Sequence, residues 1–431
     1  MSKFLNSQIY QDVALSVAYQ LPFLGLYTKN AGMVSSATSF FWRYGHMSEE
    51  FLPFSRPSIS RAAIDEVVAC LESGWITTGP RVAQFTDKLK EYLQAKHVLP
   101  LASATAGLHL TLLAMNLIPG DEVITTPLTF AATLNTIVLA GARPVLVDID
   151  PQTLNMDLNR LEEAITNRTR VILPVHFAGL PVDLDALYQI AENHNLRVVE
   201  DAAHAIGTEY KGKRIGSFGD TQVFSFHPNK NMTTGEGGCV TTNDDEIARR
   251  VSLLRFHGID REAWNRFGKS GTQDYEIVVP GFKYNMMDIQ AAIGIHQLQE
   301  LEGFIERRTE LAERYLEALV DWPQWTLPGS PPFSYRHAWH LFTPLINEDA
   351  AGMTRNEFMQ KMKEKNIGTG LHYRAAHLYP YYREHFGFNE GDFPYAESAG
   401  DRIVSLPLFP DMTDAEHDRV LDVMYSIFQH N

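Results

Sequence analysis

A chain of 431 residues is long enough for two ordinary domains, or one large domain with an appendage, each with a substantial core. Its 45% hydrophobic content with dispersed charge fits a soluble globular protein, and 52 acidic against 37 basic residues disfavour nucleic acid and anionic membranes as partners. Two cysteines, Cys70 and Cys239, are too few for a disulfide framework or a cysteine-rich zinc site, so a reducing cytoplasm is the expected compartment.

Residues 1–46 are poor in charge and contain VALSVAYQLPFLGLY, which Gln20 and Pro22 interrupt. The run is too short and too broken for a membrane span, and no clean small-residue cleavage site follows it. A dispensable extension is expected there, with the globular pattern opening at MSEEFLPFSRPSIS from Met47. From about residue 60 to 245, β-rich runs (VITTPLTF, ARPVLVDID, RVILPVHFAG, LRVVEDAAHA, TQVFSFHP) alternate with helical spacing in LEEAITN and DLDALYQIAENHN. Apolar runs separated by helices predict a largely parallel α/β sheet, with ligands at the carboxyl ends of its strands. After a polar insertion, RFGKSGTQDYE, the segment from MDIQAAIG to LEALV has helical spacing over many turns. A Pro-rich connector, WPQWTLPGSPPF, then leads to a strand in HAWHLFTPL and a helix in RNEFMQKMKEKN. The expected division is a large domain over 47–295 and a smaller α+β domain over 296–431.

Four features of the large domain bear on chemistry. In VVEDAAHA a hydrophobic run delivers Asp201, which either caps the next helix or pairs with a protonated ring nitrogen. Ala102 to Gly107 are small residues placed before a helical run, which suits either a Ser/Thr N-cap or a phosphate at a helix start. Neither GxGxxG nor GxxxxGK[ST] occurs, so dinucleotide and P-loop readings lose their usual warrant. In FSFHPNKNMTTGEGG, Lys230 is either a solvated turn charge or a desolvated, imine-forming amine, with Ser225 five residues before it. Phe130, after a predicted strand, adds an aromatic face. A phosphate cup, a ring face, a pyridinium partner and an imine-forming amine are together the parts of a pyridoxal 5'-phosphate site. The histidines show no HExxH or Cys/His pattern, so no metal is expected.

From about Phe51 onward the chain resembles the DegT/DnrJ/EryC1/StrS sugar aminotransferases, on FSFHPNKNMTTGEGG, VVEDAAHA and GFKYNMMDIQAAIG. The resemblance implies the type I fold of pyridoxal-phosphate-dependent transferases, a large mixed or parallel sheet domain with a smaller C-terminal one. It implies Lys230 as the covalent and proton-transferring residue, Asp201 as partner of the pyridine nitrogen and His204 near the phenolic oxygen. Phe130 would stack on the ring, and Ala104, Thr105 and Ser225 would hold the phosphate. It further implies a homodimer, with Asn285, or else Lys283, reaching the neighbour's phosphate, and places Trp75, His372 and Arg374 near the substrates. SGWITTGP, IGTGLHYRAAHLYPYYRE and SLPLFPDMT are most similar to family members that form UDP-4-amino-4-deoxy-L-arabinose. Those members look to have tryptophan where this chain has Phe130. The implied reaction takes the amino group of L-glutamate, leaving 2-oxoglutarate, to C4 of a nucleotide-linked 4-keto sugar, most similar to a UDP-4-keto-pentose. The alternatives are another UDP-, dTDP- or GDP-linked keto-deoxyhexose, or a non-catalytic sugar-nucleotide-binding protein. A dehydrating branch of the family carries histidine in place of the lysine, and Lys230 favours transamination.

Overall fold

Runs of Val, Ile and Leu without polar alternation suit a sheet covered on both faces. The structure, a computed structural model, describes residues 50–260 and 275–429. The N-terminal extension and most of RFGKSGTQDYE lie outside the described residues. The main sheet contains β1 (His97–Leu101), β2 (Glu122–Thr125), β3 (Arg143–Leu146), β4 (Thr169–Ile172) and β5 (Arg197–Asp201). After a hairpin of β6 (Glu209–Tyr210) and β7 (Lys213–Arg214), β8 (Thr221–Ser225) and β9 (Gly238–Thr242) complete it. The order is β1-β9-β8-β5-β4-β2-β3. Of the seven strands only β9 is reversed, pairing antiparallel with both β1 and β8, while the others run parallel. The carboxyl ends of β1, β2, β5 and β8 therefore meet at one edge.

Helices cover both faces. Phe85, Leu89 and Leu93 of α2 (Pro80–Leu93), which follows α1 (Arg61–Glu72), pack on one side. On the other, α3 (Ala104–Ala114) is apolar all round, burying Leu108, Leu110 and Leu112 with Ile137 of α4 (Ala131–Leu139). α5 (Leu184–Asn193) adds Leu187 to the first face and α6 (Asp245–Leu254) adds Val251 to the second. The long helix α7 (Asp288–Leu319) spans 32 residues, with Leu298, Leu301 and Ile305 in the first cluster. Its later residues Leu311, Tyr315 and Leu319 join a separate cluster with C-terminal residues, including Phe358, Met362, Val420 and Met424. α7 also caps α2, which has Pro80 in its first turn and no cap of its own: Asp288 accepts from Gly79 N at 2.8 Å, Val82 N at 3.0 Å and Arg81 N at 3.1 Å. The remaining elements are short strands β10 (Trp325–Thr326), β11 (Tyr335–Arg336) and β12 (Leu345–Ile346), then α8 (Glu348–Ala351) and α9 (Arg355–Glu364). α10 (Pro380–Phe386), α11 (Pro394–Arg402) and α12 (Asp414–Gln429) end the described chain.

Two expected elements differ. LEEAITN forms a single 3-10 turn, Glu162–Ala164, directly after another at Leu158–Arg160, because few residues separate the Asp157 cap from the start of β4. HAWHLFTPL contributes only a bridge at Phe342 and the start of β12. Trp339 there takes φ +45°, and the carbonyls of Ala338, Trp339 and His340 bond to side chains of Asn231 and Arg308 instead of a neighbouring strand.

Candidate active site

The turn after β8 is closed by hydrogen bonds. Lys230 N donates to the His227 carbonyl at 2.9 Å and Thr234 N to that of Phe226 at 3.0 Å, while Gln297 of α7 accepts from Thr233 N at 3.1 Å. The Lys230 amine is thereby held at a cavity of about 360 Å³ at the carboxyl edge of the sheet, within the size range of small-ligand sites. Burial lowers its pKa from 10.5 to about 8, against the raising effect of Asp201.

Asp201 ends β5 with its side chain lining the same cavity. Thr133 donates to its Oδ2 at 2.7 Å and Ala203 N to its Oδ1 at 3.1 Å, and Thr133 bonds Thr129 at 2.8 Å. Burial pushes the Asp201 pKa up, while Thr133, the Ala203 amide, Lys230 and His176 pull it down. A buried carboxylate in this balance favours a cationic N–H as its partner. His204 accepts at Nδ1 from Ala178 N at 3.2 Å, so its proton sits on Nε2, which lies 3.1 Å from the Tyr373 hydroxyl. Burial and the nearby Lys230 keep His204 and His372 neutral, His372 lowered to about 4.

At the opposite wall, the first turn of α3 presents N–H groups that have no partner within the helix. Ser103 caps it by accepting from Ala106 N at 3.1 Å, and Ala104, Thr105 and Ser225 line the cavity. Gly238 brings this turn close to the β8–β9 hairpin: a Cβ there would stand 2.6 Å from Ala104 N and 2.5 Å from the Phe224 carbonyl. Phe130, N-cap of α4, exposes 60% of its surface and lines the cavity, with its ring 6.0 Å from that of Tyr373.

Of the residues singled out from the sequence, Ala104, Thr105, Phe130, Asp201, His204, Ser225, Lys230 and His372 line this one cavity. Trp75, Asn285 and Arg374 stand outside its lining. Trp75 folds over Gly79 and donates from Nε1 to the Thr78 carbonyl at 3.1 Å. Arg374 lies over the Tyr379 ring at 5.6 Å. Asn285 donates to Thr78 Oγ1 at 2.6 Å, accepts from Lys283 Nζ at 2.6 Å and borders a second cavity with Arg255 and Met286. Sequence reasoning missed Thr133, Tyr373 and His340. Tyr373 lay between two singled-out residues of GLHYRAAH; Thr133 and His340 carried no local signal.

A buried lysine amine of lowered pKa, a buried aspartate and an open helix start at the carboxyl edge of a mixed sheet fit a type I pyridoxal-phosphate-dependent transferase. The fit to that cofactor rests on the Gly238 cradle at the α3 start, which a Cβ would fill, and on the Asp201 carboxylate lining the cavity. The chain belongs to the DegT/DnrJ/EryC1/StrS aminotransferase family, whose profile matches residues 57–425. Among its relatives is the Bacillus subtilis spore coat polysaccharide biosynthesis protein SpsC, 47% identical over 88% of this chain and 97% of SpsC. The structure of Spr1654 from Streptococcus pneumoniae in its PMP-form superposes with TM-score 0.82 at 33% identity, covering 88% of this chain and 99% of that one. Helicobacter pylori PseC, an aminotransferase in pseudoaminic acid biosynthesis, gives TM-score 0.82 at 28% identity over 89% of this chain and 100% of its own. The chain is an enzyme, an aminotransferase.

Proposed function

We propose that the chain is a sugar aminotransferase that moves the amino group of L-glutamate to C4 of a UDP-linked 4-keto pentose. The observation that carries the reaction type is the meeting of Lys230, Asp201 and the α3 start around one cavity. The sugar acceptor is supported by the likeness to SpsC and PseC, and the pentose by SGWITTGP and the block from Ile367 to Glu384.

Pyridoxal 5'-phosphate, when bound, supplies an electron sink that stabilises negative charge at the substrate carbon. Lys230 would bond to it through Nζ and, once released, would carry a proton at that atom. An amine pKa of about 8 leaves a usable neutral fraction near neutral pH. Asp201, its carboxylate fixed by Thr133 and the Ala203 amide, would keep the ring nitrogen protonated. Ala104, Thr105 and Ser225 would hold the phosphate, Phe130 would cover a ring face, and His204 would act near the phenolic oxygen. His372, with Trp75 and Arg374, is assigned to the substrates. Lys230→Ala is expected to lower turnover at least ~10³-fold; wild-type-like transamination would overturn its role. UDP-, dTDP- and GDP-linked keto sugars assayed with L-glutamate test the substrate, and preference for a deoxyhexose would replace the pentose.

We further propose a cytoplasmic homodimer in which Asn285 serves the neighbour's phosphate site, and a domain division near residue 295. Both cysteines are buried and free, which suits a reducing compartment. A monomer in sedimentation at working concentration would contradict the dimer.

A further inference from the structure

His340 stands in the irregular segment before β12 and is 1% exposed. Its Nε2 lies 3.3 Å from the Lys230 amine, while its Nδ1, also buried, has no hydrogen-bond partner among the described residues. The ring packs 4.3 Å from that of His204. Two ties hold this segment against the lysine turn. Asn231, next to Lys230, donates to the Ala338 carbonyl at 2.5 Å. Arg308 of α7, itself 1% exposed, donates from Nη1 to the carbonyls of His340 at 3.2 Å and Leu408 at 2.9 Å, and more distantly to Trp339.

A buried ring nitrogen without a partner is costly, and here the other nitrogen of the ring meets the amine. We propose that His340 is a positioning residue: its neutral ring accepts a hydrogen bond from the Lys230 ammonium whenever that lysine is not bonded to the cofactor, fixing where the amine stands. This rests on the reading of Lys230 as the covalent residue. The accepting nitrogen is Nε2, so the ring proton sits on Nδ1. The titratable groups that line the cavity with the amine are Asp201 from β5, His204 after it, His227 and Glu236 between β8 and β9, and His372 and Tyr373 from the C-terminal loop. Of these, Asp201 favours the ammonium, as His340 does. Burial and the positive charges of Lys230 and Arg308 hold the His340 pKa well down, consistent with a neutral acceptor. A histidine that only fills core volume would leave the titration of the amine unchanged.

Full-length protein freed of cofactor is acetylated with acetic anhydride across a pH series, and the Lys230 peptide is quantified by mass spectrometry. His340→Phe is expected to move the half-point of labelling down by about one pH unit, the size of one charge-assisted hydrogen bond. His340→Gln, whose amide oxygen reaches the same place, is expected to restore most of it. His340→Ala supplies the comparison if the phenylalanine variant does not fold. Half-points that coincide in all forms, or that rise, overturn the proposal. A wild-type peptide that carries no borohydride-fixed cofactor overturns the reading of Lys230 instead.

Discussion

The two sides of the cavity are built differently. Asp201 and Ser225 end paired strands, and Lys230 sits in a turn closed by its own backbone. His340, His372 and Tyr373 lie on irregular backbone, held by side chains such as Arg308, Asn231 and Ser405, the last 2.8 Å from His372. Groups proposed to define the reaction type thus stand at strand ends or in the turn that follows one, while groups proposed to face the substrate and steady the lysine stand on coil that only tertiary contacts fix. Changes on the first side should damage chemistry outright, and changes on the second should tune it.

The largest effect expected below that of Lys230→Ala is for Asp201→Asn. The amide keeps the shape and one acceptor, so fold and cofactor content should persist while kcat falls about 10²-fold or more. A kcat within a few-fold of wild type would place the ring-nitrogen partner elsewhere. Gly238→Ala should come next: its Cβ meets backbone atoms at 2.5 and 2.6 Å, which cannot swing aside. A loss of about 1–3 kcal/mol in stability, with weakened phosphate binding, is expected in denaturant melts and cofactor titrations.

The lysine supplies a pH test of the first side. Its folded pKa lies below its unfolded value of 10.5, at about 8, so the charged form is disfavoured in the folded, cofactor-free protein. That cost is fully present below pH 8 and disappears as the pH rises toward 10.5. Lys230→Met without cofactor should therefore melt above wild type at neutral pH, with the gap closing toward alkaline pH; a gap independent of pH would contradict a desolvated amine. The smallest effect is expected at Phe130, whose ring is largely exposed. Phe130→Ala should weaken cofactor binding by ~1 kcal/mol, and Phe130→Trp should be tolerated.

The same contrast explains what the sequence disclosed. Strand ends are legible because apolar runs of strand length stop at polar residues, which located Asp201 and Ser225. Lys230 was legible only in company, since a lone turn lysine reads as solvated. Thr133, one turn into α4, meets Asp201 across 68 positions of sequence, and His340 meets Lys230 across 110, so no local pattern announces either. HAWHLFTPL read as a strand, yet Asn231 and Arg308 take up its carbonyls. Tertiary partners overrode the local propensity there.

The central claim is that one amine among the lysines of this chain bonds to the cofactor. Holoenzyme reduced with borohydride and digested should show the pyridoxyl-phosphate adduct on the peptide containing Lys230, with loss of the coloured species. An adduct on a different lysine, or a colourless protein that gains no mass, would contradict it.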